Sequence, residues 1–147
     1  MALVVFLILV SVAAWTGSRF KPGTWYAQLH KPSWTPPDWL FPVAWSALYL
    51  MIALAGWLLW RAGGGTTALL VWALQLILNA AWSWLFFGRR WMHVAFVDIT
   101  LLWFAIVAFI LTSWPASPAA AALFVPYLLW VGFAAALNWR IARMNKD

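Results

Sequence analysis

Long apolar stretches alternate with short polar segments along the whole chain. Five stretches stand out, at about 2 to 18, 40 to 61, 66 to 87, 92 to 113 and 119 to 141. Each is close to the roughly 20 residues with which an α-helix crosses a bilayer. The run at 2–10 is apolar at every position, whereas the strands of a membrane barrel alternate apolar and polar residues. The pattern predicts an all-α integral membrane protein, with one domain over residues 1 to 147 forming a five-transmembrane-helix bundle.

The first apolar stretch could be mistaken for a secretory signal. It has neither Lys nor Arg ahead of its apolar run, and it carries no clear small-residue cleavage site. No soluble domain follows it for export. We therefore expect the stretch to be retained as the first helix.

One of the predicted loops is much longer than the others. Loop one, at 19–39, holds about 21 residues and four prolines, Pro22, Pro32, Pro36 and Pro37, whereas each later loop is near the minimum that reverses a helix. A long loop in so compact a protein is usually functional. Loop one is therefore predicted to form a lid.

Composition narrows the function further. Apolar residues make up 67% of the chain and charged residues 8%, which leaves too little polar surface for a water-facing globule or a soluble catalytic domain. The chain has no cysteine, which excludes disulfides and iron–sulfur clusters. Two histidines and three acidic residues argue against a metal site. The net charge of +6 forms no basic stripe on a soluble fold, so no nucleic-acid partner is expected.

The positive charges are distributed unequally between the two ends of the predicted bundle. One end has only Arg61. The other has Arg19, Lys21, Lys31, Arg89, Arg90, Arg140, Arg143 and Lys146. By the positive-inside rule, loop one and the C-terminus face the cytoplasm and the N-terminus lies outside. We expect a bacterial cytoplasmic (inner) membrane, with anionic membrane lipid attracted to the basic end.

Several polar side chains lie inside the predicted spans. Gln75, Asn79 and Ser83 follow one face of the third span. Ser46, Tyr49, Asp98 and Asn138 lie in the other spans. Such groups either bond to neighbouring helices or face a cavity. Gln75 and Ser83 are assigned to interhelical contacts, and Asp98 is expected to be held by a partner such as Asn138, a helix-end arginine or a backbone N–H.

Tryptophan is unusually abundant, with fifteen residues. Six lie near span ends, as an interfacial belt requires. Six others lie well inside the spans: Trp45, Trp72, Trp82, Trp84, Trp103 and Trp130. If several of these face inward, they form a flat, aromatic-walled cavity suited to a planar apolar ligand. The alternative is that the rings only fill the bundle, and composition does not decide between the two.

Six motifs are distributed along most of the chain: LHKPSWTPPDW (29–39), PVAWSALY (42–49), QLILNAAWSWLFFG (75–88), VDI (97–99), VPYLLW (125–130) and ALNW (136–139). Together they resemble the motifs of the TspO/MBR family, which includes the tryptophan-rich sensory proteins and the translocator proteins (peripheral benzodiazepine receptors). The resemblance implies a five-helix bundle, often a homodimer, with a ligand cavity opening toward loop one. It also implies protoporphyrin IX or a haem-type tetrapyrrole as ligand, with no required cofactor.

The resemblance also implies particular site residues. The positions that match the family's ligand pocket are Trp45, Asn79, Trp82, Ala134 and Leu137. Trp34 and Trp139 match tryptophans associated with porphyrin handling. Two departures make cholesterol a doubtful ligand: Val94 replaces a pocket tryptophan of the animal members, and Trp139 replaces the tyrosine of the sterol motif.

Three functions remain open at this point. The first is a receptor or sensor that binds a tetrapyrrole or another small apolar ligand, with Arg19, Lys21 or Lys31 pairing with its carboxylates. The second is light-dependent porphyrin degradation, in which the bound pigment acts as photosensitiser and a tryptophan such as Trp34 or Trp139 reacts. The third is a tetrapyrrole or sterol transporter. No catalytic residues are predicted, because the sequence offers no acid–base pair or nucleophile constellation.

Overall fold

A computed structural model describes residues 1 to 145, so Lys146 lies outside the described part. Its long helices are α1 (Ala2–Arg19), α3 (Leu40–Arg61), α4 (Thr66–Ser83), α5 (Met92–Ser113) and α6 (Pro118–Met144). A short helix, α2, spans Thr24–Ala27. Five helices are long and apolar enough to cross a membrane, with α4 counted together with its continuation to Gly88. The predicted all-α, five-helix membrane architecture is confirmed.

Helix ends follow the predicted bounds closely. α3 and α5 have the predicted limits, whereas α6 begins one residue earlier and ends three residues later than predicted. The early start has a local cause. Ser117 is the N-cap, and its side chain accepts a hydrogen bond from the backbone N–H of Ala120 at 3.2 Å. Pro118 then occupies the first helical position, where its missing N–H costs nothing.

The long helices are arranged as a ring around the core. α5 packs between α4 and α6, α6 packs against α3, and α1 packs against both α3 and α4. α3 and α4 contact each other at few points. α1 contributes only three buried residues to the core, Phe6, Val10 and Ala13. A space lies between α1, α3 and α4.

The end of the bundle away from loop one is closed by tight packing around Gly56. The rings of Phe6 in α1 and Trp72 in α4 meet edge to face there, with centroids 5.0 Å apart. Trp72 also donates its indole N–H to the carbonyl of Ile52 in α3 at 2.9 Å. A Cβ on Gly56 would lie 2.7 Å from Phe6 Cδ1, so only glycine permits this approach.

α4 ends in a single π-helical turn, Trp84–Gly88, which the sequence pattern did not predict. Arg89 follows it and donates its N–H to the carbonyl of Trp84 at 2.8 Å. Arg90 then adopts a left-handed conformation, with φ of 60°. The wide turn carries Phe86 and Phe87, whose rings contact Tyr26 of loop one.

Loop one is folded onto the end of the bundle. α2, which was not predicted, carries Tyr26, and the side chain of Tyr26 is only 3% exposed. Lys31 donates through Nζ to the Tyr26 carbonyl at 2.7 Å, and Nζ lies 4.6 Å from the Tyr26 ring centroid. The backbone of His30 pairs with the side chain of Asn145 through two hydrogen bonds, of 2.9 and 2.8 Å. Loop one is thereby tied to the end of α6.

Candidate functional site

A cavity of about 650 Å³ lies between α1, α3 and α4. Helices and loop one both contribute to its wall. The helical side includes Ala14, Gly17, Ser18, Trp45, Ser46, Tyr49, Asn79, Trp82 and Ser83. Cavities that hold drug-sized ligands span roughly 300–1,000 Å³. The space is therefore large enough for a ligand of that class.

Three neighbouring aromatic rings on α3 and α4 line the cavity. The rings of Trp45 and Tyr49 have centroids 5.7 Å apart and planes 30° apart. The rings of Trp45 and Trp82 have centroids 6.4 Å apart and planes 32° apart. Trp82 also stacks on Phe86, with centroids 5.4 Å apart. Aromatic rings of this kind offer apolar surface on which a planar ligand can stack.

One group of polar side chains lies at the inner end of the cavity. Tyr49 Oη donates to Asn79 Oδ1 at 3.0 Å, and Asn79 Nδ2 donates to Tyr127 Oη at 2.7 Å. Tyr127 Oη in turn donates to Gln75 Oε1 at 2.9 Å. The bonds join α3, α4 and α6, so Gln75 makes an interhelical contact of the kind expected for it. Ser83, expected to do the same, lines the cavity instead.

A second polar group fixes the orientation of Trp82. Its indole Nε1 donates to Asn138 Oδ1 at 3.0 Å, and Asn138 Nδ2 donates to the carbonyl of Met92 at 2.9 Å. Asn138 is thus not the partner expected for Asp98. Within residues 1–145, Oδ2 of Asp98 is buried and makes no hydrogen bond. The Asn138 amide holds a cavity tryptophan rather than a buried carboxyl group.

Two of the predicted site residues line a separate, smaller space. Ala134 and Leu137 border a void of about 20 Å³, together with Tyr26, Trp82 and residues of α3, α4 and α6. Trp82 borders both spaces. The Tyr26 side chain extends from loop one to the wall of this void and closes it on the loop-one side. We call Tyr26 the plug.

The surroundings of Tyr26 keep its hydroxyl neutral. The pKa of Tyr26 is raised to about 12, mainly by burial and to a smaller extent by the negative charge of Asp38. Asp38 also lines the large cavity, as does Lys21. The loop-one side of the cavity therefore carries one positive and one negative side chain.

The two remaining predicted site residues lie apart from both spaces. Trp34 is 46% exposed and packs edge-on against Phe133, with ring centroids 5.6 Å apart. Trp139 is 44% exposed, and the Arg143 guanidinium lies 4.9 Å from its ring centroid. The structure thus brings Trp45, Asn79 and Trp82 together around one cavity, and it does not bring Trp34 or Trp139 to that cavity.

Sequence reasoning missed two residues of this region. Tyr127 bonds to both Asn79 and Gln75, and Tyr26 plugs the smaller void. The signal for Tyr127 was present, since it is one of three tyrosines in the chain and lies in a span where its hydroxyl needs a partner. For Tyr26, nothing in the local pattern distinguishes a buried loop residue from an exposed one.

Comparison with known proteins gives a consistent result. The model of the TspO/MBR family matches residues 2–144. The chain is 45% identical to the tryptophan-rich protein TspO of Chlorobaculum tepidum, over 88% of this chain and 86% of that protein. It is 37% identical to a tryptophan-rich sensory protein of Cereibacter sphaeroides, over 95% and 89%. It is 40% identical to the translocator protein of Homo sapiens, over 95% and 88%.

Proposed function

The chain belongs to the TspO/MBR family, and from this premise we propose that it is a membrane receptor that binds tetrapyrroles such as protoporphyrin IX and other planar apolar ligands. Membership in a family of sensory and translocator proteins supports a membrane receptor or transporter role. The proposed site is the 650 Å³ cavity between α1, α3 and α4. No cofactor is required for binding.

The observation that carries the proposal is the aromatic wall of that cavity. The Trp45 ring is inclined by about 30° to the rings of Tyr49 and Trp82, so a planar macrocycle can contact more than one of the three rings. Stacking on such rings adds to the burial of apolar surface. A site that only filled space would not need rings of similar orientation beside a large void.

Charge at the loop-one side supports the same class of ligand. Lys21 lines the cavity there, on the same side as Asp38, and can pair with one carboxylate of the ligand. At the inner end, Asn79 and Tyr49 supply polar atoms. A largely apolar planar body with a carboxylate placed beside Lys21 fits this distribution.

The proposal extends to the orientation and assembly of the protein. The basic residues near loop one and the end of α6 support placing this end in the cytoplasm, with the N-terminus outside, in a bacterial inner membrane. The family resemblance favours a homodimer.

Replacing Trp45 with alanine tests the site. We expect Trp45→Ala to weaken dark binding of protoporphyrin IX at least about tenfold, because a stacked ring of the wall is lost. The measurement is a titration of the protein in lipid nanodiscs, followed by tryptophan fluorescence quenching. The control is Trp60→Ala, because Trp60 lies on the same helix near its other end and is exposed. Equal affinities of wild type and Trp45→Ala would remove this site.

Light-dependent porphyrin degradation is the second candidate. The tryptophans that line the cavity are Trp15, Trp45 and Trp82, whereas Trp34 and Trp139 lie elsewhere. A photochemical reaction of the bound pigment is therefore expected at one of these three residues. Mass analysis of pigment and protein after illumination distinguishes the two functions. A receptor without this activity leaves the pigment to break down no faster than free pigment does in solution. Transport is tested separately by pigment flux into vesicles.

A further inference from the structure

The hydrogen bonds that begin at the cavity all point in one direction. Tyr49, which lines the cavity, donates to Asn79, which donates to Tyr127, which donates to Gln75. Gln75 is fully buried and does not line the cavity. Each proton in this chain of bonds is thus directed away from the cavity and toward the core.

The direction follows from the number of protons that each group has. A phenol has one O–H, so Tyr127 donates to Gln75 Oε1 only while it accepts from Asn79. Asn79 must then present Nδ2 to Tyr127 and Oδ1 to Tyr49. Tyr49 uses its single proton on Oδ1, and only the lone pairs of its oxygen remain for the cavity. The polar inner end of the cavity therefore accepts a hydrogen bond at Tyr49.

We propose that Gln75 is a positioning residue that sets this polarity, and that the cavity thereby favours planar aromatic ligands with an N–H or O–H group at the inner edge. The inference rests on the proposed function, because it concerns the same cavity. It adds a specificity determinant that does not touch the ligand. The acceptor Gln75 Oε1 acts through Tyr127 and Asn79 on the hydroxyl of Tyr49.

Removing the acceptor reverses the chain of bonds. Without Gln75 Oε1, the Tyr127 proton has one remaining partner, Asn79 Oδ1. Asn79 then turns its amide and donates to Tyr49, and the Tyr49 proton is released toward the cavity. All three side chains stay hydrogen-bonded after this reversal, and Gln75 Nε2, which lacks a partner within residues 1–145, is also removed. The fold is therefore expected to tolerate Gln75→Met, which preserves the length of the side chain.

Two tricyclic ligands of matched shape test the polarity. Carbazole presents an N–H at the edge where fluorenone presents a carbonyl oxygen. Their affinities are measured by tryptophan quenching in nanodiscs for wild type and Gln75→Met. We expect the preference for carbazole over fluorenone to fall about tenfold in Gln75→Met, because one neutral hydrogen bond is lost and another is gained. Donors outside this chain of bonds, such as the Trp45 indole, are the same in both proteins and cancel in the ratio.

The Asn79→Leu background is the matched control, because it interrupts the chain of bonds between Tyr127 and Tyr49. If Gln75 acts through Asn79 and Tyr49, then Gln75→Met leaves the ratio of the two affinities unchanged in that background. A purely structural role of Gln75 lowers both affinities equally and does not alter the ratio. An unchanged ratio in the Gln75→Met single variant overturns the inference, as does a change that persists in Asn79→Leu.

A ligand-free measurement separates this inference from the proposed function. The intensity ratio of the tyrosine Raman doublet depends on whether the hydroxyl donates or accepts a hydrogen bond. For wild type and for Gln75→Met, the spectrum of the same protein with Tyr49→Phe added is subtracted. Each difference isolates Tyr49 from the other two tyrosines. We expect this signal to change from that of a donor to that of an acceptor in Gln75→Met, and an unchanged signal overturns the inference. Absence of saturable protoporphyrin IX binding to the wild type overturns the proposed function, and the Raman signal still decides the polarity in that case.

Discussion

At the scale of single residues, the bundle is closely packed around Gly56 at one end and contains a cavity at the end nearer loop one. Gly56 lets Phe6 and Trp72 meet against α3, which closes the space between α1, α3 and α4 at that end. Toward loop one, Gly17 faces the cavity, and a Cβ there would make only ordinary contacts, 3.7 Å from Tyr49 Oη. The cavity therefore occupies only the loop-one side of the same three helices.

The packing at Gly56 gives a stability prediction. Gly56→Ala places a methyl group 2.7 Å from Phe6 and 2.8 Å from Trp72, so one of the two rings must move. Overpacking of this kind costs about 1–3 kcal/mol. We expect a lower thermal unfolding temperature in detergent. The control is Gly65→Ala, where the new Cβ has no neighbour within 4 Å; equal unfolding temperatures of the two variants would contradict the packing at Gly56.

Among the site residues, the family resemblance identified those with distinctive side chains on helices. Trp45, Asn79 and Trp82 face one cavity because helical spacing fixes which face a residue occupies. Ala134 and Leu137 are separated from that cavity, although they share Trp82 with it through the smaller void. The residues that border both spaces are Phe41, Trp82 and Phe87, and the orientation of their rings is not contained in a one-dimensional pattern.

At the scale of elements, loop one is held against the end of the bundle by specific contacts rather than being a free connection. α2 inserts Tyr26 beside Phe86 and Phe87, and Lys31 holds the Tyr26 carbonyl. Asn145 pairs with the backbone of His30 on both its N–H and its carbonyl. These contacts hold loop one against the end of the bundle, and the lid expected from its length stays a prediction.

The fastening gives a prediction for Asn145→Ala. Asn145→Ala removes two hydrogen bonds to His30, each with a net contribution of about 0.5–1.5 kcal/mol. We therefore expect the fraction of molecules in which Tyr26 leaves its position to rise about tenfold. The measurement uses Leu137→Cys, which adds a single thiol beside the void under Tyr26 to a chain without cysteine. We expect N-ethylmaleimide to label this thiol about tenfold faster when Asn145→Ala is added.

Two further variants control the labelling experiment. Ser18→Cys places the thiol at an exposed position that lines the large cavity, so its labelling rate is expected to be independent of Asn145. Tyr26→Ala removes the plug itself and sets the upper rate for Leu137→Cys. If Leu137→Cys reacts at the same rate with and without Asn145→Ala, then Asn145 does not hold the lid.

The elements that could not be predicted are the short ones. The five spans follow from hydropathy, because a bilayer requires about 20 apolar residues in each. The π-helical turn at Trp84–Gly88 contains residues equally suited to an α-helix, and packing of Phe86 and Phe87 against Tyr26 favours the wider turn. α2 has only four residues, and its burial comes from contacts with distant helices rather than from its own sequence.

At the scale of the whole molecule, the order of the helices explains where the cavity lies. α4, α5, α6 and α3 form a continuous wall, and α1 completes the ring by packing against α3 and α4. Because α3 and α4 contact each other little, only α1 and loop one close the space between them. Any ligand in the cavity therefore contacts the first helix of the chain as well as the aromatic wall.

The most direct test of the proposed function is an experimental structure of the protein with protoporphyrin IX bound in the dark. We expect the macrocycle between α1, α3 and α4, roughly parallel to the rings of Trp45 and Trp82, with a carboxylate near Lys21. Tyr49 and Asn79 should lie at its inner edge. A macrocycle found outside this cavity, for example on the lipid-facing surface or against Trp34 or Trp139, would contradict the proposed site.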